Sequence, residues 1–235
     1  MPLIRLSAAL ALTATALALA VAFQNADTPA RDPLTPAQIA PSPLTTAGAR
    51  YWKGNLHTHT LWSDGDDFPE MVVDWYKRHD YQFLALSEHN VLAEGERWVD
   101  AEASATRKQA VEKYAKRFGD AWLETRTAGD KKQVRLKPLA EFRSLFEDAG
   151  KFLLVPAEEI THSFAKRPVH LNGINLRDTI KPADGKDAVE TVRVNVRQVA
   201  EQRAKTSRLM IAFLNHPTFG WGVRAEEMLL AEELR

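Results

Sequence analysis

The chain runs to 235 residues, with 31 basic and 31 acidic side chains and no cysteine. Balanced charge removes the electrostatic footprint of a nucleic-acid binder. The lack of thiols excludes disulfides, thiolate zinc sites and cysteine nucleophiles, so a bound metal must be held by nitrogen and oxygen.

The first element is a leader. Met1–Arg5 is a short basic start, Leu6–Phe23 is built almost wholly from Ala, Leu and Val, and Ala18, Ala20, Ala22 and Ala26 offer A-x-A cleavage sites. This pattern predicts a Sec signal peptide over 1–26 and a periplasmic or secreted protein. The alternative for so long an apolar run is an uncleaved N-terminal membrane anchor. Residues 27–50 carry five of the twelve prolines and little apolar periodicity, which predicts a semi-extended linker.

From Tyr51 onward strands and helices alternate. "YWKGNLHTHT" alternates like a strand. An amphipathic helix is expected from Pro69 to His79, with Met71, Val72, Trp75 and Tyr76 at helical spacing. Phe83–Leu86, Phe152–Val155, Val169–Asn175 and Met210–Leu214 read as strands, and Asp187–Lys205 and Ala225–Leu234 as helices. Such alternation argues for an α/β fold with a parallel sheet. Residues 91–151 break the rhythm as an insertion: a helix over Ala103–Phe118, a hairpin around Ala128–Lys132, and a helix over Leu139–Ala149. It is either a peripheral decoration or a lid over the site. "EELR" ends in the middle of a helical pattern, so the fold is expected to stop short at its C-terminus.

Five of the seven histidines fall beside apolar runs: His57 and His59 in "NLHTHT", His89 in "LALSEHN", His170 in "VHLNGIN" and His216 in "FLNHP". Side chains two apart on a strand share a face about 6.5–7 Å apart, so both imidazoles of the H-x-H pair can reach one metal or two adjacent ones. Asp64, in the loop that follows, can curl back to the same point. His89, Glu159, His170 and His216 each come at or just after an expected strand end, and strand ends in parallel α/β folds converge on one mouth. Glu158 and Glu159 must point opposite ways, so only one of them can join the cluster. His79 reads as a surface residue at a helix C-terminus. His162 meets either substrate or water. Lys166 and Arg167 either hold a substrate phosphate or form an ordinary solvated charge pair. Trp52, Trp62, Trp98, Trp122 and Trp221 either include a ring that stacks on substrate or serve the core, which is the expectation for most of them.

The H-x-H…S-D-G opening, "SEHN", "EEIT", the following histidine and "NHP" together resemble the PHP (polymerase and histidinol phosphatase) family of metal-dependent phosphoesterases. The resemblance covers about 51–235. It implies a distorted (β/α)7 TIM-like barrel, with two or three divalent metal ions (Zn, Mn or Fe) at its mouth. It also implies a ligand set of His57, His59, Asp64, His89, Glu159, His170 and His216, with Glu159 as the bridging carboxylate. His57, His59, Asp64 and Glu159 would then act catalytically through water that the metals activate, on a small phosphorylated substrate. "SEHN" stands where the family has T-D-H, and the family's final D-x-H pair has no counterpart after His216, in keeping with a barrel cut short. Two competing readings remain: a metal-dependent amidohydrolase, which also opens with H-x-H, and a non-catalytic metal- or partner-binding relative.

Overall fold

The computed structural model describes residues 51–231. The expected signal peptide and linker lie outside the described residues, as do 232–235. No helix among the described residues is long and apolar enough to cross a membrane.

The fold is mixed α/β, built on a five-stranded sheet curled into half a barrel, with five α-helices among the described residues. The sheet order is β1 (Gly54–Asn55), β2 (Phe83–His89), β6 (Leu153–Phe164), β7 (Arg167–Ile174), β8 (Ile211–Leu214). Among the described residues this sheet is neither fully parallel nor closed. β1, β2 and β6 are parallel, but β6–β7 and β7–β8 pair antiparallel. Only Ala165 and Lys166 separate β6 from β7, and two residues can close a hairpin but cannot make a crossover. The polar run "EEITHS" interrupts the apolar pattern that would have shown β6 as one twelve-residue strand.

Helix α1 (Pro69–Arg78) forms as expected, with Pro69 opening it and Glu70 in its first turn. Helix α4 (Ala188–Thr206) is capped by the Asp187 carboxylate, which accepts from the Glu190 N–H. It packs its buried Val189, Val192 and Val199 on Ile160, Val169 and Leu171 of the β6–β7 hairpin. Helix α5 (Ala225–Leu230) follows β8.

The insertion is not a peripheral decoration. Its helices α2 (Ala105–Phe118) and α3 (Leu139–Phe146), with β3 (Arg97–Asp100), β4 (Thr125–Ala128) and β5 (Lys131–Leu136), complete the main core. The strand β3 was not expected; it joins the hairpin in a three-stranded sheet ordered β3-β5-β4. Tyr114 stacks on Phe68 at 4.1 Å between ring centroids, and Phe142, Phe146 and Val134 pack with Leu84 and Leu86 of β2. Trp62 is fully enclosed there, and its indole N–H donates to the Lys137 carbonyl.

Candidate metal centre

The H-x-H segment leaves the β1 ladder after Asn55 yet stays extended beside β2. Thr58 and Ser87 exchange hydrogen bonds through the Thr58 N–H to Ser87 Oγ and the Ser87 N–H to the Thr58 carbonyl, both at 2.9 Å. Thr58 and Thr60 turn inward and are buried, so alternation presents His57 and His59 together on the other side. The two Nε2 atoms come within 3.3 Å.

Register supplies the next row. His89 ends β2 opposite Glu159 on β6, and Glu159 lies opposite Asn172 on β7. His170, two residues before Asn172, shares its face. His216 follows β8, brought in where the Asn215 N–H bonds the His170 carbonyl at 2.9 Å. His170 and Glu159 are therefore mid-strand residues, not strand-end ones. They reach the centre because β6 and β7 run on past the end of β2 as a hairpin.

All seven expected ligands converge, as three overlapping groups: His57–His59–Glu159, His59–Asp64–His89 and Glu159–His170–His216. Metal–ligand bonds of about 2.0–2.2 Å place neighbouring ligand atoms about 3–3.5 Å apart. His59 Nε2 lies 3.3 Å from Glu159 Oε2, and His57 Nε2 lies 3.8 Å from Glu159 Oε1. His170 Nδ1 and His216 Nε2 lie 3.2 and 3.0 Å from Glu159 Oε1. Asp64 is 3.5 Å from His59 Nδ1 and 3.4 Å from His89 Nε2. Glu159 Oε2 and His170 Nδ1 are buried and make no hydrogen bond among the described residues. A polar atom buried without a partner costs about 1–3 kcal/mol, and a cation held between these donors would relieve it. The donor set fits a metal ion.

The electrostatics favour the ligating forms. Burial and the neighbouring His89 and His57 outweigh the Glu159 and Asp64 carboxylates and lower the His59 pKa, favouring the neutral imidazole with its free lone pair. Burial pushes the Glu159 carboxyl up. His170 and Asn215 at its oxygens, with the nearby His57 and His89, outweigh that and hold it at about 2. His89 Nδ1 meets the Thr161 hydroxyl, which in turn donates to the Glu159 carbonyl. The hydroxyl oxygen therefore accepts the Nδ1 proton and leaves Nε2 bare toward Asp64.

Glu88 is fully buried behind the ligand loop. It accepts from the Thr60 N–H at 3.0 Å, from the Thr60 hydroxyl at 2.6 Å and from the Ser63 hydroxyl. That is why a glutamate serves in "SEHN": its carboxylate ties the H-x-H strand to the S-D-G turn. Gly65 completes the turn, where a Cβ would come within 2.6 Å of the backbone of His59 and Thr60. We expect Gly65→Ala to push these backbones apart and to weaken metal affinity about 10- to 100-fold, as losing an outer-shell support does. Titration with a chelator competitor would show it; unchanged affinity would mean that the turn does not hold the ligands.

Asn172 and Asn215 were not anticipated as site residues. Asn215 Nδ2 donates to Glu159 Oε1 at 3.0 Å and to Asn172 Oδ1 at 2.6 Å, and Asn172 Nδ2 donates to the Leu56 carbonyl. Their signal was present in the alternation: Asn172 is two residues from His170, and Thr161 two from Glu159.

The three expected substrate contacts divide. Arg167 forks onto Glu227 of α5 with two bonds of 2.9 Å, tying β7 to the helix. His162 shares the Ile160 face of β6, and its Nε2 lies 2.9 Å from Asp184 Oδ1. Lys166 and His162 both line a cavity beside His170. We expect Arg167→Ala to cost about 1 kcal/mol of stability, as partly exposed bidentate pairs do, with KM unchanged; a raised KM at unchanged stability would return Arg167 to the substrate. No protein-family model and no curated protein matches this sequence.

Proposed function

We propose that the protein is an exported metal-dependent phosphoesterase of the PHP type. The observation that carries this reading is the convergence of seven His, Asp and Glu side chains from five separate segments into three groups that share His59 and Glu159. Imidazole and carboxylate donors without thiolate suit Zn²⁺, Mn²⁺ or Fe. A neutral imidazole has one lone pair, so His59 can serve only one ion at a time. With His59 Nε2 turned to the Glu159 group, two complete triads share the Glu159 carboxylate and a weaker third site keeps Asp64 and His89. We therefore propose two tightly held ions and a third held loosely.

Ions bound there would supply a lowered water pKa and positive charge for phosphoryl oxygens. The chain's own residues do the rest. Glu159, buried and ionised, is the fixed anion that both complete triads share. Thr161 and Asn172 orient His89 and His57, whose Nδ1 lies 3.2 Å from Asn172 Oδ1. Glu88 and Gly65 hold the ligand loop in register. Asp64, 68% exposed, marks the open side by which a small phosphorylated substrate would enter. Lys166 has no ion-pair partner among the described residues and would receive the phosphate charge.

The test is metal content per chain by elemental mass spectrometry on the purified protein, followed by turnover of phosphate esters, amides and lactones. Two or more equivalents of Zn, Mn or Fe with phosphoester turnover is the expected result. Turnover of amides or lactones instead would make it an amidohydrolase; bound metal with no turnover would make it a metal-binding relative.

A further inference from the structure

A cavity of about 510 Å³ opens beside the metal centre, with His170, Lys166 and Phe219 among its walls. Nothing in the metal-binding argument uses Phe219. It is 62% exposed, an unusual state for a phenylalanine, although its ring lies 5.5 Å from that of His216 and 6.2 Å from that of His170. The backbone is built to hold it there. Phe219 opens a 3-10 turn, Phe219–Trp221, in which Gly220 and Trp221 both have left-handed φ, at 55° and 52°. Gly222, which follows, passes so close to β7 that a Cβ would fall 1.8 Å from the Pro168 carbonyl oxygen. The turn is thus clamped on β7 two residues from His170, and it keeps an apolar ring in water next to the metal ligands.

The β6–β7 turn on the same cavity is built with similar bias. Ala165 and Lys166 form the β6–β7 turn with φ of 48° and 65°, the geometry that Asn and Gly adopt most easily. A lysine in that position, uncommitted to any carboxylate among the described residues, sets one positive charge at the cavity rim. Exposed aromatic faces bind planar rings by stacking, and a rim ammonium binds anions.

We infer that this cavity recognises the substrate's leaving group, and that the preferred substrates are phosphoesters carrying a planar aromatic or heteroaromatic ring, stacked on Phe219, with Lys166 as the anion contact. This rests on the phosphoesterase reading. It goes beyond it by naming the class of ester and a specificity-determining residue.

The experiment compares phenyl phosphate with glycerol 2-phosphate in the metal-loaded full chain, in wild type, Phe219→Ala and Phe219→Leu. The readout is the ratio of the two kcat/KM values, in which any general damage to the metal centre cancels. Stacking on one ring is worth about tenfold, so the ratio should fall about tenfold in both variants. Lys166→Asn, which suits the left-handed turn, should raise KM for both esters and leave the ratio alone. A ratio unmoved by either Phe219 variant overturns the inference. In parallel, calorimetry of phenylphosphonate and methylphosphonate reads the cavity without turnover. Tighter binding of the phenyl compound, lost in Phe219→Leu, supports the site even if neither ester is hydrolysed, a result that would sink only the phosphoesterase reading. Equal binding of the two phosphonates overturns the inference.

Discussion

Replacing Glu159 by Gln should empty most of the proposed metal centre and bring the proposed phosphoester turnover to background. Glu159 belongs to two of the three ligand groups, and its oxygens lie within 2.9–3.8 Å of nitrogens from His57, His59, His89, His170 and His216. Gln keeps the shape and removes the charge. The loss should exceed the roughly 10- to 100-fold seen when outer-shell partners are removed, because a charged ligand is lost directly. The change should not unfold the chain. The five histidines no longer face a shared anion, but Asn215 can still donate to the amide oxygen. Elemental analysis and circular dichroism on one sample would check both statements. A Glu159→Gln protein that keeps two equivalents of metal would remove Glu159 from the ligand set, and with it the shared-carboxylate architecture.

Replacing Glu70 by Gln should stabilise the protein above neutral pH and flatten its pH dependence. Glu70 lies in the first turn of α1, fully enclosed by the insertion. The Tyr114 hydroxyl donates to its Oε1 at 2.7 Å, while Oε2 has no partner among the described residues. Burial pushes its pKa from 4.5 to about 7, against the pull of Tyr114. The folded state therefore binds the proton more tightly than the unfolded one. The associated stability is fully present below pH 4.5 and is lost as pH rises through 7. At about 1.36 kcal/mol per pH unit, that loss comes to about 3 kcal/mol. Gln avoids the buried charge but leaves an amide N–H₂ where Oε2 stood, at about 1–2 kcal/mol. The net expectation at pH 8 is a gain of about 1–2 kcal/mol, or a few degrees in Tm. Below pH 4.5 Glu70→Gln should be neutral or slightly worse. Burial raises Glu158, to about 7, and Glu88 in the same direction, so part of the slope should survive. Urea titrations at pH 5 and pH 8 measure this. Equal destabilisation at both values would mean that Glu70 stays ionised and is satisfied by its surroundings.

Much of the local structure was legible in the sequence because it is locally encoded. Pro69 and the apolar spacing through Tyr76 specify α1, Asp187 caps α4, and the H-x-H alternation separates His57 and His59 from Thr58 and Thr60 without reference to any distant residue. The ligand residue types were legible too: with no cysteine, only His, Asp and Glu can hold the metals proposed, and those at the strands stood out against apolar runs. What failed was the step from strands to sheet. Period-two patterning is the same for parallel and antiparallel strands, so nothing in "VHLNGIN" told that β7 would fold back on β6. The two-residue turn decided that, once β6 was recognised as running on through Glu158, Glu159 and His162.

The sequence by itself determined which residues could ligate, which helices form and where the insertion lies, because side-chain chemistry and helical periodicity act over a few residues. Tertiary structure alone decided the rest. It aligned His89, Glu159 and Asn172 through register across three strands, and it drew Asn215 and Thr161 in as supports. It turned Arg167 away to Glu227, and it made the insertion part of the core. Each of these depends on contacts between segments far apart in the chain, whose loop-closure cost and packing no local pattern records.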